Sequence, residues 1–328
     1  MKRYVIATVL LVLALEILIA TAFLSLTPTG SRVLSAFSPT PTPTPAPVLT
    51  AEGTPPAVKA TAMALLDAET GRLLASTNAQ KRLPMASTTK IMTAVVTLET
   101  ANLDQMVTIH QDALDEVTKN QGSSAHLVLG DQIRLRDLLY ALLLPSGDDA
   151  AIAIADAVSG SSAGFVQTMN KYAGRLHLKN THYINPDGLT YYVGADGKPD
   201  PNGKPQPGHY TTAADLAQLT RYALQNPLFA QIVQLQTYDL PVSPTHHRYT
   251  WTTTDDLLTK YPGAIGVKTG FTVEAGYCLV FAGTTSTHRL IGVLLGDGTD
   301  TNQRFVDATA LLNWGFALPL KPPPTPAA

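Results

Sequence analysis

The stretch from Ala86 to Leu98 constrains the fold more than any other, because it is apolar or small on nearly every side. A helix with this pattern has to be buried inside a domain, with other elements packed around it. Its threonines and valines are weak helix formers, so tertiary packing rather than local propensity has to hold it. The stretch therefore predicts a helix in the middle of a sizeable core.

Ser87 and Lys90 stand at the start of this stretch, three positions apart. In a helix, they lie on one face and their side chains can meet. Burial lowers the pKa of a lysine, which would let its amine take a proton from the serine. A capping serine and a lysine that reaches to solvent form the simpler interpretation of a lone Ser-x-x-Lys pattern. Two motifs downstream favour the nucleophile instead.

The composition sets limits on function. The chain has 328 residues, is 45% hydrophobic and carries a net charge of −2, which offers no electrostatic basis for binding nucleic acid. Cys278 is the only cysteine, which excludes a disulfide framework and a cysteine-based zinc site. Asp196, Asp200 and Asn202 could ligate calcium, but their spacing does not match the helix–loop–helix pattern. No metal and no cofactor are expected.

The N-terminus predicts export. Two cations precede an apolar run from Tyr4 to Leu26, which is typical of a secretion signal and close to the roughly 20 residues that span a bilayer. Ala20-Thr21-Ala22 offers a cleavage site with small residues, whereas Glu16 weakens a membrane anchor. Residues 1–27 are therefore predicted to be either a cleaved signal peptide or a retained signal anchor, and the protein to act outside the cytoplasm.

Residues 28–57 are rich in proline and threonine, and Thr-Pro pairs alternate within them. Such a sequence cannot form a helix or a central strand and is expected to be an extended spacer. Proline-rich segments also bind grooves on partner proteins, but a spacer fits better beside an export signal. The folded domain is predicted over 58–318, and 319–328 is a proline-rich tail.

Strands are predicted at both ends of the folded domain and helices between them. The predicted strands are Ala60–Asp67, Arg72–Ala75, Ala264–Thr269, Cys278–Thr284 and Arg289–Leu295. The predicted helices are the one that follows Ser87, Ile133–Leu144, Ala150–Val158, Ala163–Leu176, Ala213–Gln225 and Gln303–Trp314. This order predicts an α+β fold, with an antiparallel sheet flanked by helices.

Two short motifs join Ser87-x-x-Lys90. Ser146-Gly147-Asp148 lies on a predicted tight turn between helices, and Lys268-Thr269-Gly270 lies at the end of a predicted strand. A glycine there lets a ligand approach the strand edge closely, and the lysine and hydroxyl beside it suit a substrate carboxylate. Each triplet alone is a weak signal. Together, in this order and each at the end of an element, the three motifs are strong.

With these motifs, the chain resembles the serine D-alanyl-D-alanine carboxypeptidases, the low-molecular-mass penicillin-binding proteins. The resemblance runs from about Ala60 to Phe316. Other matching stretches are Pro84-Met85-Ala86, Gly130-Asp131, Asp137-Leu138-Leu139, Lys179-Asn180-Thr181 and Gly208-His209-Tyr210-Thr211-Thr212. The resemblance implies the fold shared with β-lactamases and penicillin-binding transpeptidases, which includes a mainly helical subdomain. It also implies two kinds of partner, peptidoglycan stem peptides and β-lactam antibiotics.

Some members of this family add a C-terminal β-domain and an amphipathic helix that binds the membrane. This chain is expected to have neither, so membrane anchoring, where it occurs, is expected through the N-terminal segment.

The resemblance implies a catalytic role for three residues. Ser87 attacks the carbonyl of the penultimate D-alanine, and Lys90 takes its proton. Ser146 relays a proton toward the leaving amine. Water then hydrolyses the acyl-enzyme, and no metal is needed.

The remaining motif residues are expected to bind the substrate. Lys268 and Thr269 hold the terminal carboxylate, with Gly270 beside them. The backbone N–H groups of Ser87 and Phe271 form the oxyanion hole, where developing negative charge is stabilised.

Asp148 departs from the family, which usually has asparagine at this position. An asparagine can donate to a substrate carbonyl and accept from the lysine, whereas an ionised aspartate only accepts. A carboxylate near Lys90 would also favour the charged amine and oppose its use as a base. Asp148 is therefore expected at a substrate-binding position, where it weakens catalysis.

Two alternatives to a carboxypeptidase stay open. A serine β-lactamase shares the fold and the motifs, but its commonest class needs a glutamate between the second and third motifs. No glutamate occurs between Glu116 and Glu274. The second alternative is a cell-wall or antibiotic-binding protein with a weakened site. Asp148 favours this alternative, and the intact Ser87, Lys90 and Lys268 oppose it.

Overall fold

The structure is a computed structural model of the whole chain, and the residues it describes are 2–29, 47–298 and 300–322. The chain divides into two compact units, which are Met1–Pro47 with Pro322–Ala328, and Val48–Lys321.

The first unit begins with helix α1 (Lys2–Leu26). Across the described parts of the chain, none of the helices combines the length and the apolar character needed to cross a membrane. Most of the predicted Thr-Pro spacer, residues 30–46, and the end of the tail, residues 323–328, lie outside the described residues.

The second unit is built on an antiparallel sheet of five strands. In chain order these are β1 (Ala60–Asp67), β2 (Leu73–Thr77), β3 (Ala264–Thr272), β4 (Gly276–Thr284) and β5 (Arg289–Asp297). Their order across the sheet is β3-β4-β5-β1-β2, so β3 forms one edge. The sheet confirms the predicted antiparallel arrangement, and each strand extends within a few residues of its prediction.

A 3₁₀ turn, Ala86–Thr89, and nine helices complete the unit as described. The helices are α2 (Lys90–Thr100), α3 (Gln111–Asn120), α4 (Leu135–Leu143), α5 (Asp148–Ser159), α6 (Ser162–Arg175), α7 (Ala213–Ala223), α8 (Pro227–Val233), α9 (Leu257–Lys260) and α10 (Gln303–Phe316).

Both faces of the sheet are covered, because successive side chains of a strand point to opposite sides. Ala64 and Leu66 of β1 belong to the core shared with α2 and the helices around it. Met63 and Leu65 belong to the core beneath α10. Helix α2 packs against α4, α5, α6 and α7, as its apolar sequence predicted. The α+β architecture is thereby confirmed.

Short strand pairs lie outside the main sheet. They are Val48–Leu49 with Leu320–Lys321, Met106–Thr108 with Gln132–Arg134, Tyr192–Val193 with Lys204–Pro205, and Thr237–Leu240 with Tyr249–Thr252. The predicted helix from Ile133 therefore began too early. Ile133 pairs with Val107 in a strand, and the helix starts at Leu135.

The folded unit is also wider than the predicted 58–318. Leu49 pairs with Leu320, is only 2% exposed and packs in the core beneath α10. The last residues of the predicted spacer and the first residues of the predicted tail therefore belong to the folded unit.

Candidate active site

The nucleophile turn, which we define as Ala86–Thr89, brings Ser87 next to Lys90. The structure places Ser87 in a 3₁₀ turn and begins the α-helix only at Lys90. In a 3₁₀ turn, side chains three positions apart eclipse one another. Lys90 Nζ accordingly lies 2.9 Å from Ser87 Oγ. Ser87 is 8% exposed, so the hydroxyl lies at the edge of the interior.

Lys90 is fully buried and has three polar partners. Its Nζ contacts Ser87 Oγ at 2.9 Å, the backbone carbonyl of Asp187 at 2.8 Å, and the carboxylate of Asp148. An ammonium group donates three hydrogen bonds, whereas a neutral amine donates two and accepts one. The same three contacts therefore fit the lysine both as an ammonium and as a neutral amine.

The loop Asn185–Gly188 closes over the nucleophile turn. Gly188 has a φ of +96°, and a Cβ there would lie 2.0 Å from the Ala86 carbonyl oxygen, so only glycine fits. The Thr93 hydroxyl in α2 donates to the Pro186 carbonyl at 2.5 Å. These contacts fix the Asp187 carbonyl in front of Lys90. No motif in the sequence assigned this loop a part in the site.

Asp148 is the first residue of α5, where the helix dipole favours a carboxylate. Its side chain is fully buried. One carboxylate oxygen pairs with Lys90, and the other accepts the Ser123 N–H at 2.6 Å. Because both oxygens are engaged inside the protein, Asp148 acts on Lys90 in this structure. Its predicted contact with a substrate carbonyl stays a prediction.

Two more acids lie near this ion pair. Burial, and next the charge of Asp148, raises the pKa of the Asp187 carboxyl well above its ordinary value. Burial also raises the pKa of Glu116, whose carboxylate accepts the Tyr191 hydroxyl at 3.0 Å. Burial therefore disfavours the charged form of Asp187, and the carboxylate bonded to Lys90 is that of Asp148.

Lys268 lies on β3 and is also buried. Its Nζ donates to the Thr269 carbonyl at 3.1 Å. Burial, and next the positive charge of Lys90, lowers the pKa of Lys268 well below its ordinary value. Among the residues that the structure describes, no carboxylate forms an ion pair with the Lys268 amine. A substrate carboxylate would supply the missing charge.

Thr254 joins the second and third motifs, and the sequence analysis missed it. Its hydroxyl shares a hydrogen bond of 2.5 Å with that of Thr269. Its N–H donates to the Leu144 carbonyl at 3.1 Å, two residues before Ser146. No motif marks this threonine, because its role comes from the packing of two distant segments.

The open edge of β3 passes directly against the nucleophile turn. A Cβ at Gly270 would lie 3.1 Å from the Ser87 nitrogen, so the glycine permits this approach. Phe271 follows, with its side chain 52% exposed and its ring 4.6 Å from that of Tyr277. Arg304 of α10 donates to the Gly270 carbonyl at 3.3 Å and supports the strand from behind.

Ser146 is buried in the turn between α4 and α5. Its φ of +67° is rare for a residue other than glycine and costs free energy, as is common at functional sites. Within the described ranges, its hydroxyl has no hydrogen-bond partner. The structure thus holds a buried hydroxyl whose hydrogen-bonding capacity is unused.

Comparison with known proteins identifies the family. The sequence profile of the D-alanyl-D-alanine carboxypeptidases, peptidase family S11, matches residues 49–299. The chain belongs to this family. It is 40% identical over 277 residues to the D-alanyl-D-alanine carboxypeptidase of Streptomyces sp. strain K15, a match that covers 81% of this chain and 90% of the relative. The Escherichia coli K12 carboxypeptidase DacC is 35% identical over 313 residues, which cover 90% of this chain and 71% of DacC.

Solved structures agree with the family. The crystal structure of the Streptomyces K15 DD-transpeptidase has a TM-score of 0.73 at 38% identity and covers 81% of this chain and 100% of its own. The D-alanyl-D-alanine carboxypeptidase of Mycobacterium tuberculosis H37Rv has a TM-score of 0.71 at 30% identity, with coverage of 83% and 97%. The fold predicted for the present chain, that of the penicillin-binding carboxypeptidases, is thereby confirmed.

The family acts on peptidoglycan and binds β-lactams, so this serine carboxypeptidase works outside the cytoplasm. In the described ranges, no cluster of three or more His, Cys, Asp or Glu side chains is arranged to hold a metal ion.

His209 lies in a stretch that resembles the family, but the sequence assigned it no role in the site. Its Nε2 lies 2.8 Å from the Thr89 hydroxyl, and its Nδ1 accepts the Ile184 N–H at 3.2 Å. Burial lowers the pKa of His209 to about 3, so the ring is neutral. Through Thr89 it supports the nucleophile turn.

Proposed function

We propose that Ser87 is the nucleophile of this D-alanyl-D-alanine carboxypeptidase and that Lys90 is its general base. The observation that carries the proposal is the 2.9 Å contact between Lys90 Nζ and Ser87 Oγ inside a buried pocket. The contacts of Lys90 with Asp148 and Asp187 hold the amine in place while the proton moves.

The substrate would bind along the edge of β3. Lys268 and Thr269 receive the terminal carboxylate, which restores a negative charge beside a buried cation. The penultimate carbonyl then points at the backbone N–H groups of Ser87 and Phe271. Loss of one oxyanion donor of this kind costs about 2.7–4 kcal/mol in other enzymes, so this pair would supply much of the catalysis.

The reaction then proceeds in two stages. Ser87 Oγ attacks the carbonyl carbon and its proton passes to Lys90. The bond to the last D-alanine breaks, and its amine takes a proton through the free hydroxyl of Ser146. Water attacks the acyl-enzyme, which releases the shortened stem peptide and regenerates Ser87.

The test is mass spectrometry after exposure of the purified protein to a fluorescent penicillin. We expect one adduct, on Ser87, and none in Ser87→Ala, whose melting temperature should stay close to that of the wild type. An adduct on another serine, or undiminished labelling of Ser87→Ala, would refute the assignment.

A protein with a weakened site is the second candidate, because the buried pair of Asp148 and Lys90 favours the charged lysine. Release of D-alanine from a pentapeptide and hydrolysis of nitrocefin distinguish the three possibilities. A carboxypeptidase releases D-alanine, a β-lactamase turns over nitrocefin, and a weakened protein is acylated slowly and does neither.

We also propose that residues 1–27 direct export, because two cations precede an apolar run in this segment. N-terminal sequencing of the protein recovered from the producing cells distinguishes a cleaved signal peptide from a retained anchor. An intact N-terminus in the cytoplasmic fraction would contradict export.

A further inference from the structure

Asp255 is a buried carboxylate that the proposed reaction does not use. It follows Thr254, whose hydroxyl bonds that of Thr269 at 2.5 Å, and it is only 2% exposed. Its Oδ1 accepts the Leu257 N–H at 3.0 Å, at the start of α9. Its Oδ2 is buried and has no hydrogen-bond partner among the described residues. A buried carboxylate oxygen in this state costs free energy, so the fold keeps Asp255 at the expense of stability.

Two buried cations act on Asp255 from different elements. Lys268 lies on β3, and Arg304 lies on α10, where its Nη1 donates to the Gly270 carbonyl at 3.3 Å. None of the ion pairs in the described ranges includes Asp255, so both charges act across a gap. Burial raises the pKa of Asp255 to about 6, although the Leu257 N–H and the two cations act to lower it. At pH 7 and above, Asp255 is therefore an anion.

Asp255 has the negative charge that Lys268 lacks. Burial, and next the charge of Lys90, lowers the pKa of Lys268, whereas the charges of Asp148 and Asp255 act to raise it. Asp148 is bonded to Lys90, so the opposite charges of that pair largely offset each other at Lys268. Arg304 adds a further positive charge that lowers the pKa of Lys268. Asp255 is thus the counter-charge that no bonded cation offsets.

We propose that Asp255 is a positioning residue for the carboxylate site, where its negative charge keeps the Lys268 amine protonated and ready to receive the terminal carboxylate of the peptide. The inference rests on the proposed function, in which Lys268 and Thr269 bind that carboxylate. Asp255 acts through Lys268 rather than on the substrate itself. One turn then serves both groups of the site, because Thr254 orients the Thr269 hydroxyl while Asp255 sets the charge of Lys268.

The charge of Asp255 gives the expected effect a direction with pH. Below about pH 6 the Asp255 carboxyl is protonated, so its replacement by asparagine changes little. Above this pH the wild type has a negative charge near Lys268 and Asp255→Asn does not, so the pKa of Lys268 is lower in the variant. Lys268 of the variant therefore loses its proton at a lower pH, and peptide binding should weaken there.

The experiment measures kcat and KM for D-alanine release from Nα,Nε-diacetyl-L-Lys-D-Ala-D-Ala between pH 5 and 9. At pH 5, Asp255→Asn should match the wild type. At pH 8 to 9 its kcat/KM should be about three- to tenfold lower, mainly through KM, which corresponds to a pKa shift of Lys268 by about half a unit to one unit. The amide oxygen of the asparagine can still accept the Leu257 N–H, so the melting temperature should stay close to that of the wild type.

Two further variants serve as controls. Asp256→Asn removes the charge of the next residue, whose side chain is 56% exposed and pairs with Lys260. Its pH profile should follow that of the wild type, because solvent screens an exposed charge. In a Lys268→Met background, Asp255→Asn should have no further pH-dependent effect, because the amine through which Asp255 acts is absent.

Three results would overturn the role of Asp255 while leaving the proposed function intact. They are a pH profile of Asp255→Asn that equals the wild type, a loss of the same size at pH 5 and pH 9, and a loss at pH 9 that persists in the Lys268→Met background. The second result would indicate a merely structural role. A wild type that releases no D-alanine at any pH would instead contradict the proposed function, and the inference with it.

Discussion

Lys90 and Lys268 are both buried, yet their surroundings differ. Lys90 contacts a hydroxyl, a backbone carbonyl and the Asp148 carboxylate, whereas Lys268 Nζ donates only to the Thr269 carbonyl in the described structure. The charge of the first lysine is compensated before any ligand arrives. The second lysine has no carboxylate bonded to it; the charges of Asp148 and Asp255 act on it only from a distance, and burial lowers its pKa well below the ordinary value.

The difference separates two tasks of the site. A pre-formed set of contacts keeps the base aligned with the serine, which favours chemistry. A buried cation without a bonded carboxylate is costly until a carboxylate binds, so the free energy gained there serves recognition of the peptide terminus. Three substitutions test this comparison.

Lys90→Met should have the largest effect, because it removes the base and leaves the Asp148 carboxylate buried without its cation. We expect penicillin acylation to fall by about 10²–10⁴-fold, which is the contribution of a positioned base. The free energy of unfolding should fall by about 3–5 kcal/mol, as when one partner of a buried pair is removed. Stopped-flow acylation and urea denaturation measure the two effects.

The double variant Lys90→Met with Asp148→Leu serves as its control. It should regain most of the lost stability, since no unpaired charge remains, but none of the acylation rate. If Lys90→Met alone were as stable as the wild type, the buried ion pair would not be the feature that distinguishes the two lysines.

Lys268→Met should lower activity without lowering stability, unlike Lys90→Met. D-alanine release should fall by about 10- to 150-fold, because a hydrogen bond to a charged group contributes about 1.5–3 kcal/mol. Stability at neutral pH should stay the same or rise, since a buried cation without a bonded carboxylate is removed. A loss of several kcal/mol in urea denaturation would show that Lys268 is compensated after all.

Lys268 should also make the free energy of unfolding depend on pH. The pKa of Lys268 is lower in the folded state than its unfolded value of about 10.4. At a pH between these two pKa values, Lys268 is protonated in the unfolded chain and neutral in the folded chain. The free energy of unfolding therefore rises with pH in this range. Lys268→Met should lack this rise when the wild type and the variant are compared by urea denaturation up to pH 10.

Asp148→Asn should have the smallest effect. It removes the carboxylate that distinguishes the surroundings of Lys90 from those of Lys268. Its amide oxygen can accept the Ser123 N–H, which leaves the amide N–H₂ group facing Lys90. That arrangement favours the neutral amine, so acylation should stay equal or rise up to about tenfold, with a flatter pH profile. Penicillin acylation rates from pH 6 to 9 provide the measurement.

Slower acylation of Asp148→Asn would contradict this account of the residue. If the carboxylate is an adapted part of the proton path, acylation of Asp148→Asn would slow tenfold or more while the melting temperature stayed close to that of the wild type. Loss of the rate together with the fold would instead indicate that the pairing with Ser123 is needed for the structure of the turn.

The sequence predicted the elements that have strong local patterns. The strands of the sheet and helices α5, α6, α7 and α10 lie within a few residues of their expected bounds, and Ser161 and Thr212 cap their helices. Its errors have one cause, which is pairing between distant segments. Ile133 was predicted in a helix but pairs with Val107 in a strand. Leu49 was predicted in a spacer but pairs with Leu320.

The site shows the same division. The sequence by itself determined the three motifs, their order and the family, because each motif is a short run of residues with its own chemistry. Only the tertiary structure decided that the Asp187 carbonyl holds Lys90, that Thr254 joins two motifs and that Asp148 turns inward to Ser123. The physical reason is that a buried polar group must find its partner wherever the fold brings one, and such partners leave no pattern along the chain.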